Sequence, residues 1–371
     1  MAEAATLAAA FDDEVSRGLK ALPRRGDAPL SHEHELARWR HCQKLADSVS
    51  HYASRLPPSA AVPRILKLGR ELRARREPRC ALSACYRTVL RLVPQPTADC
   101  HDSQACMAAR RRVEAIFGAA ACGLAVTTGR DPKLLAGASV DRVVDALDRF
   151  REGVELAAQW EELYWLVNNG AVHMRAAAGL LVATGFAQRA LPFLVFASLA
   201  LDSNPTFGNA AYLPRRLAAC KDVCECCARM GAREEAARFV ERFWKKVDEL
   251  EELYKLDPLP PPKELVESCR NTRAGLAVLR LKYGAEVARN SADLRSLLET
   301  HIPADDSRIE ALVEAFLERG EGEASRGPIP AEKGPAFDML WSLAQPLVSK
   351  ISEALTARTE EEALEGTRGR N

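Results

Sequence analysis

The chain has 371 residues, and its 47% hydrophobic content is enough to build a sizeable buried core. The 52 Lys and Arg residues balance 51 Asp and Glu residues to a net charge of +1, which excludes a general electrostatic attraction to nucleic acid or to an anionic membrane. Eleven cysteines without a secretory pattern ahead of them argue against a disulfide framework, so we expect reduced thiols in the cytoplasm.

The first predicted elements are a helix and a helical pair. Ser31 can cap a helix that runs to about Ala53. Pro63 opens the next helix, and the segment 81–92 forms its partner before Pro94 ends the pair. The apolar residues of the first helix recur near helical spacing at Leu36, Trp39, Leu45 and Val49.

Helices are also predicted over 103–127 and 140–154. The pattern is clearest over 234–256, because apolar residues there recur at steps of three and four. The apolar residues with this spacing are Phe239, Phe243, Val247, Leu250 and Tyr254. Prolines stop this helix abruptly, and a further helix follows over 263–283.

The segment 176–201 has the length of a membrane span and a single charge, Arg189. Gly185, Arg189 and Pro192 interrupt it near its centre. An arginine in the middle of a bilayer costs about 2.5–3.5 kcal/mol on insertion scales. Two buried helices joined by a turn therefore explain the segment better than a membrane helix.

Two segments share one pattern, in which a glycine that can turn the chain precedes small or apolar residues at helical spacing. The predicted structural repeat positions are Gly185, Ala190 and Ala197 in the first segment, and Gly231, Ala236 and Phe243 in the second. A third copy has Arg76 in place of the glycine. The separations between copies are unequal, so the sequence predicts an all-α fold, an irregular tetratricopeptide-like helical-repeat solenoid.

The predicted domain organisation centres on this solenoid. Beyond it, Ser307 and Glu310 form a capping box, and a Gly- and Pro-rich stretch has the composition of a linker. The predicted parts are an N-terminal extension (1–30), the solenoid (31–284), short helices (285–319), a flexible linker (320–335), a C-terminal helix (336–357) and a disordered tail (358–371).

The sequence contains no phosphate-binding loop, nucleophile elbow or dinucleotide fingerprint, so neither an enzyme nor a cofactor is predicted. A cysteine cluster is the sharpest local group. Cys220, Cys224 and Cys227 share one helix face, and Cys226 points away from it. Core packing is the preferred interpretation, because free cysteine is a small apolar residue. Zinc binding and redox work are the alternatives.

Other polar residues fit structural roles. His173 lies in an apolar helix as a core histidine, and His32 and His34 lack the spacing of metal ligands. A carboxylate stripe and two arginine-rich stretches have the pattern of solvated helix faces. The stretches could instead bind acidic tubulin, RNA or another acidic partner. The stripe comprises Asp141, Asp145 and Asp148; the stretches comprise Arg70, Arg73, Arg75, Arg76 and Arg79, and Arg110, Arg111 and Arg112.

Two groups of short segments follow one another along about 56–283. The first group is 64–69, 81–87 and Leu90, and the second is 162–170, Gly185, 189–191, 196–198, Cys220 and 248–250. In this order the series resembles the cilia- and flagella-associated protein 54 family, the first group its first hairpin and the second group its conserved core.

The resemblance implies a non-catalytic helical scaffold in the axoneme of a motile cilium or flagellum, within the central apparatus and needed for assembly and movement. The implied partners are other central-apparatus projection proteins and central-pair tubulin, with no nucleic acid and no membrane. The alternative function is a helical-repeat adaptor that binds a protein partner in the cytoplasm.

Overall fold

The computed structural model describes residues 2–22, 32–95, 103–203, 212–256, 260–283 and 291–302, together with 308, 338–343 and 345. All regular structure in these ranges is helical, and no strand occurs in them. The all-α prediction is therefore confirmed. The predictions for the Ser31 cap, the linker at 320–335 and the tail at 358–371 lie outside the described residues.

Thirteen α-helices have bounds within the described residues. They are α1 (Ala2–Ala21), α2 (His32–Ala53), α3 (Pro58–Ala74), α4 (Pro78–Cys80), α5 (Arg87–Leu92), α6 (Ser103–Arg130), α7 (Gly137–Ala157), α8 (Tyr164–Ala183), α9 (Ala187–Asp202), α10 (Leu213–Arg229), α11 (Arg233–Lys255), α12 (Lys263–Tyr283) and α13 (Ser291–His301). A π-helical segment, Ala81–Tyr86, joins α4 to α5. A 3₁₀ turn, Glu161–Leu163, precedes α8.

The chain divides into two compact units, Met1–Thr206 and Phe207–Asn371. In the first unit α6 packs on α7, α7 on α8 and α8 on α9. In the second unit α10 packs on α11, α11 on α12 and α12 on α13. Packing in sequence order is the arrangement of a helical-repeat solenoid and confirms that prediction.

Glycines in the middle of helices allow close contact between neighbouring helices. The buried Tyr86 ring lies against Gly118 of α6 and Gly69 of α3, and a methyl group at Gly118 would overlap the ring. The Phe117 ring lies in the same way against Gly153 of α7 and Gly170 of α8. At these crossings an aromatic side chain on one helix therefore fills the space that a glycine leaves on another.

The beginning of α3 differs from the prediction. The helix starts at Pro58 instead of Pro63, because Pro58 occupies the first turn, where no N–H is needed for the helical ladder. Pro63 lies inside the helix. The helix α1 was not predicted, and its Phe11 side chain is buried in the same core as Leu45 of α2.

The glycine at position 118 gives a stability test. Gly118→Ala should lower the free energy of unfolding by about 1–3 kcal/mol, because the added methyl group overlaps the fully buried Tyr86 ring. Gly123→Ala is the matched control, because Gly123 lies on the same helix with no neighbouring atom within 4 Å of its added Cβ. The control should be neutral or stabilising by up to about 1 kcal/mol, since alanine favours helix. Urea unfolding of the two variants measures the difference, and equal effects would contradict the packing described.

Candidate functional site

Three turns between helices share the same backbone hydrogen bonds. Each ends a helix with a residue of positive φ, which is 61° at Arg76, 91° at Gly185 and 77° at Gly231. The residue that follows donates its N–H to the carbonyl five positions earlier. The N···O distances are 2.9 Å for Glu77 to Leu72, 2.7 Å for Phe186 to Leu181, and 2.9 Å for Ala232 to Cys227.

The left-handed conformation favours glycine, and a residue with a Cβ adopts it at a cost of about 1–2 kcal/mol. Gly185 and Gly231 adopt it without that cost, whereas Arg76 is strained. The three turns therefore have the same geometry but differ in strain. The strain lies at the turn between α3 and α4.

The other repeat positions lie in the helices that follow the two glycine turns. Ala190, Ala197, Ala236 and Phe243 are all buried. The Cys224 thiol lies 3.5 Å from the carbonyl oxygen of Ala236, so α10 and α11 approach closely at this small residue. The assignment of these positions to one sequence repeat stays a prediction.

The four cysteines of α10 are all buried, including Cys226, which was predicted to point away from the others. Burial raises the pKa of Cys226 to about 11, so its thiol is protonated at neutral pH. Burial also raises the pKa of Cys227. The described residues contain no group of three His, Cys, Asp or Glu side chains placed to hold a metal ion. These observations support core packing as the role of the cluster.

The predicted core histidine and carboxylate stripe both take part in contacts between helices. The ring of His173 stacks on Phe150 at 5.5 Å between centroids, and burial lowers the pKa of this histidine. Asp141 of the stripe pairs with Arg189 and links α7 to α9. Asp148 pairs with Arg151 on the same helix. His32 and His34 are exposed on α2.

The arginines of 70–79 do not form one solvated face. Arg70 pairs with Glu114 at 3.7 Å, and the side chain of Arg75 donates to the carbonyl of Leu19 at 2.6 Å. Arg76 and Arg79 instead line a cleft with other residues of the first unit. The run is therefore divided between structural contacts and one concave surface.

The second arginine stretch is also divided. The Arg110 guanidinium lies 5.4 Å from the centroid of the Trp165 ring, at the distance of a cation–π contact. The Arg112 side chain donates to the carbonyl of Val93 at 2.7 Å and so holds the end of α5 against α6. Both residues therefore serve contacts between helices.

The cleft has a volume of about 540 Å³ and lies between α2, the turn that leads into α4, and the end of α6. We call it the Trp39 cleft, because the Trp39 side chain on its edge is 62% exposed. The sequence pattern placed Trp39 on the apolar face of its helix, and this is wrong for Trp39. Its lining includes Glu35, Trp39, Arg76, Glu77, Arg79 and Arg130.

A buried arginine that the sequence analysis missed lies beside the cleft. Arg38 is only 4% exposed, and its Nε donates to a carboxylate oxygen of Glu77 at 2.9 Å. Its second guanidinium nitrogen reaches the carbonyl of Arg75 at 3.4 Å. Arg38 therefore holds both sides of the strained turn at Arg76.

The second unit has its own buried charge cluster. The guanidinium carbons of Arg280 and Arg273 lie 3.6 Å and 4.7 Å from the centroid of the Trp244 ring. Arg273 also pairs with Asp248 and Glu251. Hydrogen bonds to these two acids raise the pKa of Arg273 although burial opposes the rise. The cluster joins α11 to α12.

Comparison with known proteins gives consistent matches. Residues 33–296 match the model of the family described as cilia- and flagella-associated protein 54. The protein of that name from Chlamydomonas reinhardtii is 32% identical over 96% of this chain, and the human protein is 25% identical over 69% of it. The mouse protein is 23% identical over 91% of this chain. The chain spans 12%, 9% and 12% of the lengths of these three relatives, in the same order.

Among solved structures, a circular tandem repeat protein aligns with 95% of this chain and 99% of its own, at 13% identity and a TM-score of 0.26. A TM-score this low supports no argument about function or fold. Within the part of the chain that the structure describes, none of the helices has the length and apolar character of a membrane span.

The turn at Gly185 gives a second stability test. Gly185→Ala should lower the free energy of unfolding by about 1–2 kcal/mol, because the residue keeps φ at 91° and alanine is strained there. Gly179→Ala on the preceding helix should be neutral or raise it by up to about 1 kcal/mol. A Cβ added at Gly185 or at Gly179 has no neighbour within 4 Å, so the two variants differ only in the backbone conformation at the substituted residue. Chemical unfolding measures both, and a stabilising Gly185→Ala would contradict the left-handed turn.

Proposed function

The chain belongs to the cilia- and flagella-associated protein 54 family, and from this membership we propose that it is a non-catalytic structural scaffold of the motile-cilium axoneme. Its place is a projection of the central apparatus, where it is needed for assembly and movement. The match over 33–296 is the observation that supports this proposal, since it takes in helices from both units.

The fold supports a scaffold role in physical terms. Helices stacked in sequence order bury their shared faces and leave long lateral surfaces for other proteins. On α8, Trp165 and Val172 lie seven residues apart on one face and are both exposed. Large exposed apolar side chains on one face favour contact with another protein.

The proposed partners are other projection proteins of the central apparatus and central-pair tubulin. Neither nucleic acid nor membrane is among them. The net charge of +1 supports this choice, because it gives no general attraction to polyanions. The proposed location is the cytoplasmic cytoskeleton of the cilium or flagellum.

The test is to tag the gene product in ciliated cells of the source organism and to extract the cilia with detergent. The tagged protein should stay with the demembranated axonemes, and loss of the gene should impair beating while the outer doublets still assemble. A tagged protein that is soluble and diffuse would contradict the proposal and favour the cytoplasmic adaptor.

Two variants connect this test to the fold. Gly123→Ala should remain with the axonemes like the natural sequence, whereas Gly118→Ala should be retained less, because the packing of α6 on the Tyr86 ring is disturbed. Quantitative immunoblots of axonemal and soluble fractions give the measurement. Equal retention of a Gly118→Ala protein shown to be destabilised would mean that this part of the chain does not hold it on the axoneme.

A further inference from the structure

The Trp39 cleft has an excess of positive charge. Arg79 and Arg130 are exposed, and neither has an ion pair or a side-chain hydrogen bond with another residue that the structure describes. Arg76 is a third exposed arginine in the lining. Of the two acidic residues there, Glu77 is neutralised by Arg38, and Glu35 is the other. Among the described lining residues, the unpaired charges are therefore those of Arg79 and Arg130 against the single carboxylate of Glu35, and Arg76 adds a further guanidinium to the lining.

Arg76 is a residue with a side chain at a turn whose geometry favours glycine. The turns at Gly185 and Gly231 have the same hydrogen bonds, and the residue of positive φ in each is a glycine, which is unstrained there. Strained backbone held by surrounding structure is concentrated at functional sites. The turn itself does not favour an arginine at this position, and the Arg76 side chain lines the cleft.

The turn is held firmly in place. Arg38 is buried and binds both the Glu77 carboxylate and the Arg75 carbonyl. The Arg75 side chain in turn binds the carbonyls of Leu19 and Leu22 at the end of α1. A ligand in the cleft therefore meets Arg76 on a preformed frame, which reduces the ordering entropy that binding must overcome.

The remaining lining favours a peptide over a nucleic acid. Trp39 is the one aromatic residue among the described residues of the lining, whereas single-stranded RNA is bound by several aromatic side chains that stack successive bases. Glu35 would repel a continuous phosphate backbone. A peptide can place its carboxylates at the arginines and an apolar side chain on the exposed Trp39 ring.

We propose that the Trp39 cleft binds an extended acidic peptide segment of a partner protein. Arg76, Arg79 and Arg130 pair with its carboxylates, and Trp39 packs against an apolar side chain between them. This site goes beyond the scaffold role, and binding by purified protein does not depend on the location of the chain in a cell.

The test measures fluorescence anisotropy of a labelled peptide with alternating Glu and Leu, titrated with the purified 371-residue chain. A peptide with Gln in place of Glu is the uncharged control. The acidic peptide should bind at least ten times more tightly than the Gln peptide, and its affinity should fall as salt is added. Equal affinities for the two peptides would overturn the proposal, and so would tighter binding of a labelled single-stranded RNA.

Charge reversal locates the site. Arg79→Glu with Arg130→Glu should weaken binding of the acidic peptide at least tenfold. Arg142→Glu with Arg149→Glu makes the same change in net charge on α7, outside the cleft, at exposed arginines that also have no ion pair with any described residue. This control pair should change the affinity less than threefold, with circular dichroism confirming that both proteins are folded. An equal loss of peptide affinity in the two double variants would show that binding depends on net charge alone, and it would overturn the proposal.

Arg76→Gly separates a role in binding from a role in folding. The substitution should raise the midpoint of thermal unfolding by about 1–3 °C, because glycine is unstrained at this φ. It should also weaken peptide binding at least threefold, because one guanidinium is lost. A more stable protein with unchanged affinity would remove Arg76 from the site.

Discussion

The closeness of neighbouring helices depends on glycines that carry no Cβ where a large side chain lies against them. Tyr86 uses Gly118 in this way, and Phe117, one residue earlier on α6, uses Gly153 and Gly170. The Tyr86 ring thus packs against α6, and the Phe117 ring of α6 packs against α7 and α8. These contacts with elements before and after it in the chain fix the position of α6. In the second unit, Leu217 of α10 lies against Gly275 of α12 by the same principle. Such contacts replace the regular small-residue positions of a uniform repeat, which explains how unequal repeat spacing is compatible with close packing.

Charged side chains have two parts in the structure, because some join neighbouring helices, as Asp141 and Arg189 do, and others bind the ends of helices. Arg38, Arg75 and Arg112 all donate to backbone carbonyls, and those carbonyls lie at or next to the end of a helix. The last carbonyls of a helix accept no hydrogen bond from within the helix. A guanidinium donates to them, and its positive charge interacts favourably with the negative end of the helix dipole. These arginines are therefore structural, although in the sequence they look the same as the exposed arginines of the Trp39 cleft.

The sequence predicts the helices well because each depends on local patterns: apolar residues at steps of three and four, prolines near helix starts and glycines near helix ends. It predicts contacts poorly because they join distant positions; Arg38 and Glu77 are 39 residues apart, and no local signal connects them. Trp39 shows the same limit within one helix. Its spacing fits the apolar face, yet it lies three residues after Leu36, which is also exposed, and it is exposed itself, whereas the buried positions of α2 are Arg38, Cys42, Leu45, Ser48 and Val49. The helix α1 was not predicted, although its apolar residues Leu7, Phe11, Val15 and Leu19 recur every four residues and pack on the same core, so its spacing did carry a helical signal.

The strained turn at Arg76 is compatible with a stable protein because contacts in a helical-repeat array are local. Each helix contacts mainly its neighbours, so a conformational cost at one turn is opposed by the contacts around that turn and is not spread over the chain. Here the opposing contacts are the buried pair of Arg38 with Glu77 and the Arg75 hydrogen bonds to the end of α1. Removing the buried arginine would leave Glu77 without its partner and the turn without its support. A residue unsuited to its backbone conformation can therefore be kept for its side chain wherever the surrounding helices already fix the backbone.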